Sequence, residues 1–192
     1  MQEPLCRRCG VPLESSRAAC GCRERLRGLN RLRSAAAYEG PIETAIHRFK
    51  YQGWRRLAVP LAELMAERLV VEGLAAPAIV AVPLHPARQR QRGFNQAELL
   101  ARQLRVRLWS TETVGRLIRI RATPPQVGHD RRWRADNVRG AFRWDGPPLN
   151  GRPILVVDDV ATTGATLDAC ATALRESGSG PVMGISIARV TV

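Results

Sequence analysis

Residues 154–166 read ILVVDDVATTGAT, and this stretch decides the fold. Four apolar residues, Ile154 to Val157, predict a parallel strand buried on both faces. The strand delivers two adjacent carboxylates, Asp158 and Asp159, to its carboxyl end. Small and hydroxylated residues follow (Ala161, Thr162, Thr163, Gly164, Ala165 and Thr166) and lead into a helix predicted over 165–177. Such a loop can wrap its backbone N–H groups and the Thr162, Thr163 and Thr166 hydroxyls around a phosphate at the helix N-terminus. Gly164 permits the positive φ or close approach that a cradle of this kind needs. Carboxylates repel a phosphate, but they accept hydrogen bonds from vicinal sugar hydroxyls or help hold Mg²⁺. Diol to the acids and phosphate to the loop together describe a sugar phosphate at a strand-end crevice, where open α/β sheets bind ligands. The two acids are expected at a solvent-facing strand end with modest burial, so that replacing both by asparagine would leave the fold intact.

Working outward, Ala78 to Val82 is a second continuous apolar run, and further strands are predicted at 34–38, 113–120, 138–144 and 182–190. Helical periodicity starts at Gly40-Pro41 through Ile42, Ala45, Ile46 and Phe49, and continues over 54–71 and 95–108. A short helix is predicted at 131–137, a loop at 83–93 and a polar, arginine-rich connector at 23–33. Strands alternating with helices at this spacing imply a parallel α/β sheet with right-handed crossovers. Other phosphate motifs fail: no GxxxxGK[ST] occurs, and Gly178-Ser179-Gly180 follows a helix instead of opening one.

Cysteines occupy positions 6, 9, 20, 22 and 170. Cys6, Cys9, Cys20 and Cys22 form a CxxC and a CxC within a segment too short for a core of its own. Thiols at this spacing read as ligands of a closed, structural Zn²⁺ site, the metal supplying folding free energy that so short a segment lacks. A redox CxxC, which would sit at a strand–helix junction, and vestigial cysteines are the competing readings. The segment is expected to have a core separate from that of the sheet. Cys170, among Ala169, Ala171 and Leu174, reads as a small core hydrophobe.

A length of 192 residues with 45% hydrophobic composition suits one full domain with a small appendage. The apolar run Ala75 to Leu84 contains Pro77 and Pro83 and is far short of the roughly 20 residues that span a bilayer, so no membrane insertion is expected. No apolar leader stands in Met1 to Pro12, and the expected location is the cytoplasm. Lys50 is the only lysine among 30 basic residues, and the formal net charge is +13. Between Arg88 and Arg143, 14 arginines face four acids, a bias that suits phosphate-rich ligands or nucleic acid and equally fits a solvated arginine surface.

The stretch 154–166 matches the phosphoribosyl pyrophosphate motif of type I phosphoribosyltransferases at all thirteen positions, with Ala161 and Thr162 taken within the small-hydroxyl run. The N-terminal CxxCG and CxC, VPLHPARQRQRGFNQAELLA (82–101), TPPQVGHDRRWRADNVRGAF (123–142) and VVDDVATTGATL (156–167) resemble the ComF/GntX family. That family comprises bacterial phosphoribosyltransferase-like proteins, many linked to DNA uptake in natural transformation. The resemblance implies a type I phosphoribosyltransferase-like parallel sheet flanked by helices over 34–192 and a zinc-finger-like segment over 1–28. It implies that Asp158 and Asp159 face the ribose hydroxyls and that Thr162 to Thr166 hold the 5′-phosphate of phosphoribosyl pyrophosphate or ribose 5-phosphate, with Mg²⁺. The loop around Leu84 and His85 corresponds to the pyrophosphate loop, with Arg88, Arg90 and Arg92 nearby, and Gln126 to Asn137 to a hood or flexible loop. Gly128-His129 stands where many relatives read Gly-Leu.

His85 is read either as a pyrophosphate-site residue or as a turn element beside Pro86. His47 is read as a surface or packed histidine, and His129 as a residue that can face substrate. Two functions follow. One is an enzyme transferring a phosphoribosyl group to an unidentified acceptor by positioning and electrostatic stabilisation, acting in competence. The other is a catalytically inactive protein that handles single-stranded DNA or binds competence-machinery partners while retaining the sugar-phosphate pocket. In the second, Trp109, Trp133, Phe142 and Trp144 serve as stacking faces or as core.

Overall fold

Apolar side chains on both faces seat Ile154–Val157 in the middle of a parallel sheet, each of the four residues buried. The structure is a computed structural model describing residues 4–15, 18, 20–74, 78–109, 115–121 and 138–190. In chain order the first elements are α1 (Cys22–Arg25), β1 (Arg31–Ala37), α2 (Gly40–Tyr51), a 3-10 turn (Arg55–Leu57), α3 (Ala58–Val71) and β2 (Ala78–Ala81). Then come α4 (Pro86–Arg92), α5 (Gln96–Leu108), β3 (Arg116–Arg119), β4 (Phe142–Asp145), β5 (Ile154–Ala161), α6 (Ala165–Glu176) and β6 (Val182–Arg189). The main sheet is all parallel in the order β1-β6-β5-β2, with α3 and α5 packed together on one face and α6 on the other. Strands β3 and β4 form a separate antiparallel pair. The α/β class with a parallel sheet flanked by helices is therefore as the sequence predicts.

Four expectations are corrected. The connector 23–33 is not a polar linker: it holds all but the first residue of α1, buries Leu26 and Leu29, and its last three residues open β1. Arg33 is only 4% exposed, its guanidinium bonded to Glu72 at 2.7 Å and to the carbonyls of Leu32 and Arg7 at 2.8 and 3.0 Å. Charge alone hid this strand. Second, the cysteine segment has no separate core, because Cys6, Cys9, Cys22, Leu26 and Leu29 are continuous with the residues buried under the sheet. Third, α4 lies inside the predicted loop 83–93; it starts with Pro86 in its first turn and carries no apolar periodicity. Fourth, β5 runs past both acids to Ala161, since β6 pairs with it as far as Arg189. The predicted helix at 131–137, the hood at 126–137 and residues 113–114 lie outside the described residues.

The cysteine segment is fastened to α6 and to the outer edge of β1. The Asp168 carboxylate accepts from the N–H groups of Arg27, Gly28 and Leu29 at 3.2, 2.9 and 3.0 Å. The Leu32 N–H donates to the Arg8 carbonyl at 2.7 Å, which covers part of an otherwise open sheet edge. At Gly28 a Cβ would lie 2.6 Å from the backbone nitrogen of Thr172, so only glycine permits this approach. Gly28→Ala should accordingly cost about 1–3 kcal/mol of stability through overpacking. Gly21→Ala, where a Cβ meets nothing within 4 Å, should be close to neutral, and urea melts of the two variants check the contrast.

Candidate functional site

Three elements converge on the acidic pair. Strand β5 supplies Asp158 and Asp159, α2 supplies Lys50 from its last turn, and α5 supplies Gln96 from its first residue. Lys50 Nζ lies 2.9 Å from Asp159 Oδ1, and Gln96 Nε2 donates to Asp159 Oδ2 at 2.8 Å. Asn95 caps α5 through the Ala97 N–H at 3.0 Å and holds the Val82 carbonyl at 3.0 Å, so the start of the helix is locked to the end of β2. Asp159 is 7% exposed and Gln96 is buried. The expected modest burial is thus corrected: at Asp159 the carboxylate is enclosed by partners from two helices. Asp158 accepts the Asp159 N–H at 2.8 Å.

Electrostatics separates the two acids. Burial and the neighbouring Asp159 charge push Asp158 up to about 7, against the opposing pull of the Asp159 N–H, Lys50 and Arg119. Burial pulls the Lys50 ammonium down, but the charge and hydrogen bond of Asp159 outweigh it and hold Lys50 above the ordinary lysine value. One carboxyl is held by an ammonium and an amide from two helices, and the other titrates near neutrality.

After the acids, Thr162 to Thr166 turn into α6, and Gly164 takes φ +84 at the position before the helix. The Thr163 hydroxyl accepts the Ala165 N–H at 3.3 Å. A cleft of about 210 Å³ is lined by Lys50 and by residues 158–167, so every predicted residue of the loop and both acids surround one space. Leu84 lies elsewhere, in a larger cleft of about 510 Å³ between the end of β2 and β3. Arg119 lines that second cleft, and its guanidinium interacts electrostatically with both Arg88 and Asp158, so the two clefts are neighbours. His85 accepts the Ala87 N–H at 3.3 Å through Nδ1 and caps α4.

The four N-terminal thiols form a second cluster, their Sγ atoms all within 4.8 Å of one another. Cys6 and Cys22 are 3.7 Å apart, and Cys9 and Cys20 3.5 Å. Tetrahedral Zn²⁺ with Zn–S of about 2.3 Å would place sulfurs about 3.8 Å apart, so the residues fit the ion. Burial pushes the Cys6 thiol up, but N–H donors from Cys9 and Arg8 and the thiols of Cys9 and Cys22 outweigh it and bring it down to about 6. Burial raises Cys9 and Cys22, whose protons a metal would have to displace. Arg189, nearly fully buried, donates to the Cys9 carbonyl and reaches the Thr162 carbonyl at 3.5 Å, joining this cluster to the loop of the first site.

No family model matches the chain. Individual relatives do. The chain is 34% identical to DNA utilization protein YhgH of Salmonella typhimurium and 36% identical to that of Escherichia coli, in each case over 93% of this chain and 81% of the relative. It is 32% identical to competence protein F of Haemophilus influenzae over 97% of this chain and 85% of that protein. The chain belongs to the competence protein F family. Solved structures that overlap it include an orotate phosphoribosyltransferase from Aeropyrum pernix (20% identity, TM-score 0.37, 68% of this chain and 56% of that one). Another is a Thermus thermophilus protein (21% identity, TM-score 0.38, 68% of this chain and 72% of that one). Overlaps of this size carry no argument, and the fold rests on the sheet itself.

In this competence protein F relative, sequence reasoning missed Lys50, Gln96 and Arg119. Lys50 had a signal, as the single lysine flanking the apolar stripe of Ile46 and Phe49; Gln96 and Arg119 had none. Phe142 and Trp144 are core residues and cannot stack on a ligand, whereas Trp109 is 94% exposed. Trp133, His129, Arg131, Arg132 and Arg134 lie outside the described residues. His47 is exposed and leans on Tyr51. No described helix is long and apolar enough to cross a membrane.

The two acids should respond oppositely to amidation. Folding raises Asp158 from 3.8 to about 7, so charging it costs the folded state nothing below about pH 4 and most above about pH 7. Asp158→Asn should therefore gain melting temperature over the wild type progressively from pH 4 to pH 7, with a plateau beyond. Asp159→Asn leaves the enclosed Lys50 ammonium without its counter-charge and should lose on the order of 3 kcal/mol. Calorimetric scans across pH distinguish the two.

Proposed function

We propose that the cleft at residues 158–167 binds the ribose 5-phosphate portion of phosphoribosyl pyrophosphate, with Mg²⁺. The chain would do so in DNA utilization and competence, the contexts named for its relatives, and in the natural transformation that the family resemblance implies. One observation carries the reading. A carboxylate pair and a threonine-rich loop with Gly164 at φ +84 share one cleft at the N-terminus of a twelve-residue helix. The loop N–H groups and the threonine hydroxyls take the 5′-phosphate, aided by the positive end of the helix. Asp158 and Asp159 accept the ribose hydroxyls, with Lys50 and Gln96 holding the Asp159 carboxylate in place. The pyrophosphate side falls to Leu84, His85 and Arg88, and Arg119 adds a further guanidinium near Asp158. Mg²⁺, when bound with the pyrophosphate, supplies charge neutralisation of the leaving group.

Isothermal titration with Mg²⁺ and phosphoribosyl pyrophosphate, followed by a pyrophosphate-release screen across nucleobases, tests this. Binding is expected, and it should weaken below pH 7 as Asp158 becomes protonated and loses its charge-assisted hydrogen bond. Asp158→Asn should weaken it by roughly 1.5–3 kcal/mol. Unchanged affinity in that folded variant overturns the site. Release with one base identifies a phosphoribosyltransferase. Binding without release assigns the cleft a ligand or docking role in a protein that handles single-stranded DNA or competence-machinery partners, the reading that the arginine-rich middle segment favours.

The four N-terminal cysteines hold one structural Zn²⁺ in the same proposal, which treats 1–28 as the metal-binding unit and 34–192 as the ligand-binding unit. The five cysteines form no disulfide, which suits the reducing cytoplasm. Elemental analysis should find about one zinc per chain, as four thiolates complete one tetrahedral site. Because the segment shares the sheet's core, Cys6→Ser with Cys9→Ser should lower the melting temperature of the whole chain. A reduced protein free of zinc would overturn the metal assignment.

A further inference from the structure

Outside both clefts, the end of α2, the 3-10 turn and the end of α4 meet on one surface. Tyr51 and Trp54 stand there 65% and 50% exposed. Each ring has a guanidinium over it, Arg92 at 5.1 Å from the Tyr51 centroid and Arg48 at 4.9 Å from that of Trp54. Arg55 lies 4.9 Å over the buried Phe94 ring and donates to the Gly93 carbonyl at 3.4 Å, which fastens the turn to the end of α4. Phe49 and Phe94 pack beneath at 5.9 Å. The two converging segments, 47–56 and 85–93, contain seven cationic residues and no acid. Only Lys50 among these seven is ion-paired in the described structure, to Asp159.

A guanidinium over one face holds a ring in place, and at least half of each residue stays exposed to a base, the Tyr51 ring also meeting the His47 ring at a tilt of 49° and 5.0 Å. Its in-plane N–H groups remain directed outward, where they suit phosphate oxygens. Rings interleaved with arginines along two acid-free segments match the alternation of base and phosphate along a single strand. A duplex keeps its base faces stacked away from such rings, and an acidic peptide would use the arginines alone. The geometry points to a platform for single-stranded nucleic acid, with bases stacked on Tyr51 and Trp54 and phosphates paired with Arg48, Arg55, Arg90 and Arg92. This surface lies outside the sugar-phosphate cleft and does not rest on the reading given to that cleft. It also differs from the stacking set Trp109, Trp133, Phe142 and Trp144 drawn from sequence, two of whose members are core.

Fluorescence anisotropy of the full chain with a labelled oligothymidylate of about twenty nucleotides tests the platform across a salt series. Tyr51→Ala with Trp54→Ala should weaken binding at least about tenfold while leaving the salt slope unaltered, since stacking carries no counterion release. Arg48→Gln with Arg92→Gln should flatten the log–log slope by about 1.4, at about 0.7 per phosphate. Both rings lie at the surface, so the ring variant keeps the wild-type melting temperature. A ring variant that binds as tightly as the wild type overturns the platform. So does a wild type that binds no oligonucleotide at about 50 mM salt, or one that binds polyglutamate equally well.

Discussion

Asp159 sits almost out of water with one ammonium to balance it, and that single ion pair fixes the geometry of the whole cleft. Lys50 comes from α2, Gln96 from α5 and the carboxylate from β5, so three elements distant in sequence meet at one oxygen pair. A carboxylate at this depth is costly unless its partners are in place. The end of α2 and the start of α5 are therefore constrained to the sheet more firmly than their modest apolar faces would achieve. Asp158, one residue earlier, has no comparable partner among the described residues and bears its burial and the neighbouring charge as a raised pKa. Two neighbouring acids of identical chemistry thus acquire different tasks from their surroundings, one as a strut and one as a group left able to respond to a ligand.

Much of the fold was legible because strands buried on both faces and amphipathic helices write different periods into the sequence. Ile154 to Val157 and Ala78 to Ala81 could be read directly, as could the thirteen-residue motif and the four cysteines. What escaped was carried by polar side chains in unusual places. Arg33 stands in the stretch read as a polar connector and Arg189 near the end of a predicted strand with nothing to mark its burial, yet both are buried and spend donors on carbonyl oxygens. Composition cannot distinguish a solvated arginine from one used as an internal clamp. Lys50 was different, since a single lysine on the flank of an apolar stripe is a visible exception. The acids misled in the other direction: charge suggests an exposed strand end, and only the tertiary arrangement reveals the lysine and the amide that enclose one of them.

The cysteine cluster and the loop at residues 162–166 are physically one assembly. Arg189 touches the backbone of both, and Gly164 of the loop faces Leu26 and Leu32, so that a Cβ there would come within 2.8 Å of Leu32. The N-terminal segment is accordingly part of the wall behind the loop, and the four-cysteine cluster shares responsibility for the shape of the cleft at residues 158–167.

The pairing of β1 with β6 brings together residues about 150 positions apart, with Ser34 and Ser186 sharing a hydrogen bond across a separation of 152. A chain made at roughly 5–20 residues per second exposes its first four thiols for on the order of ten seconds or more before β6 exists to receive β1. The cysteines themselves lie close in sequence, Cys22 standing 16 positions after Cys6. Their loop closes early and cheaply, long before the sheet can. Loop closure is therefore ordered by sequence distance: the four thiols can meet early, whereas their shared core and the edge strand beside them are completed only when synthesis is nearly finished.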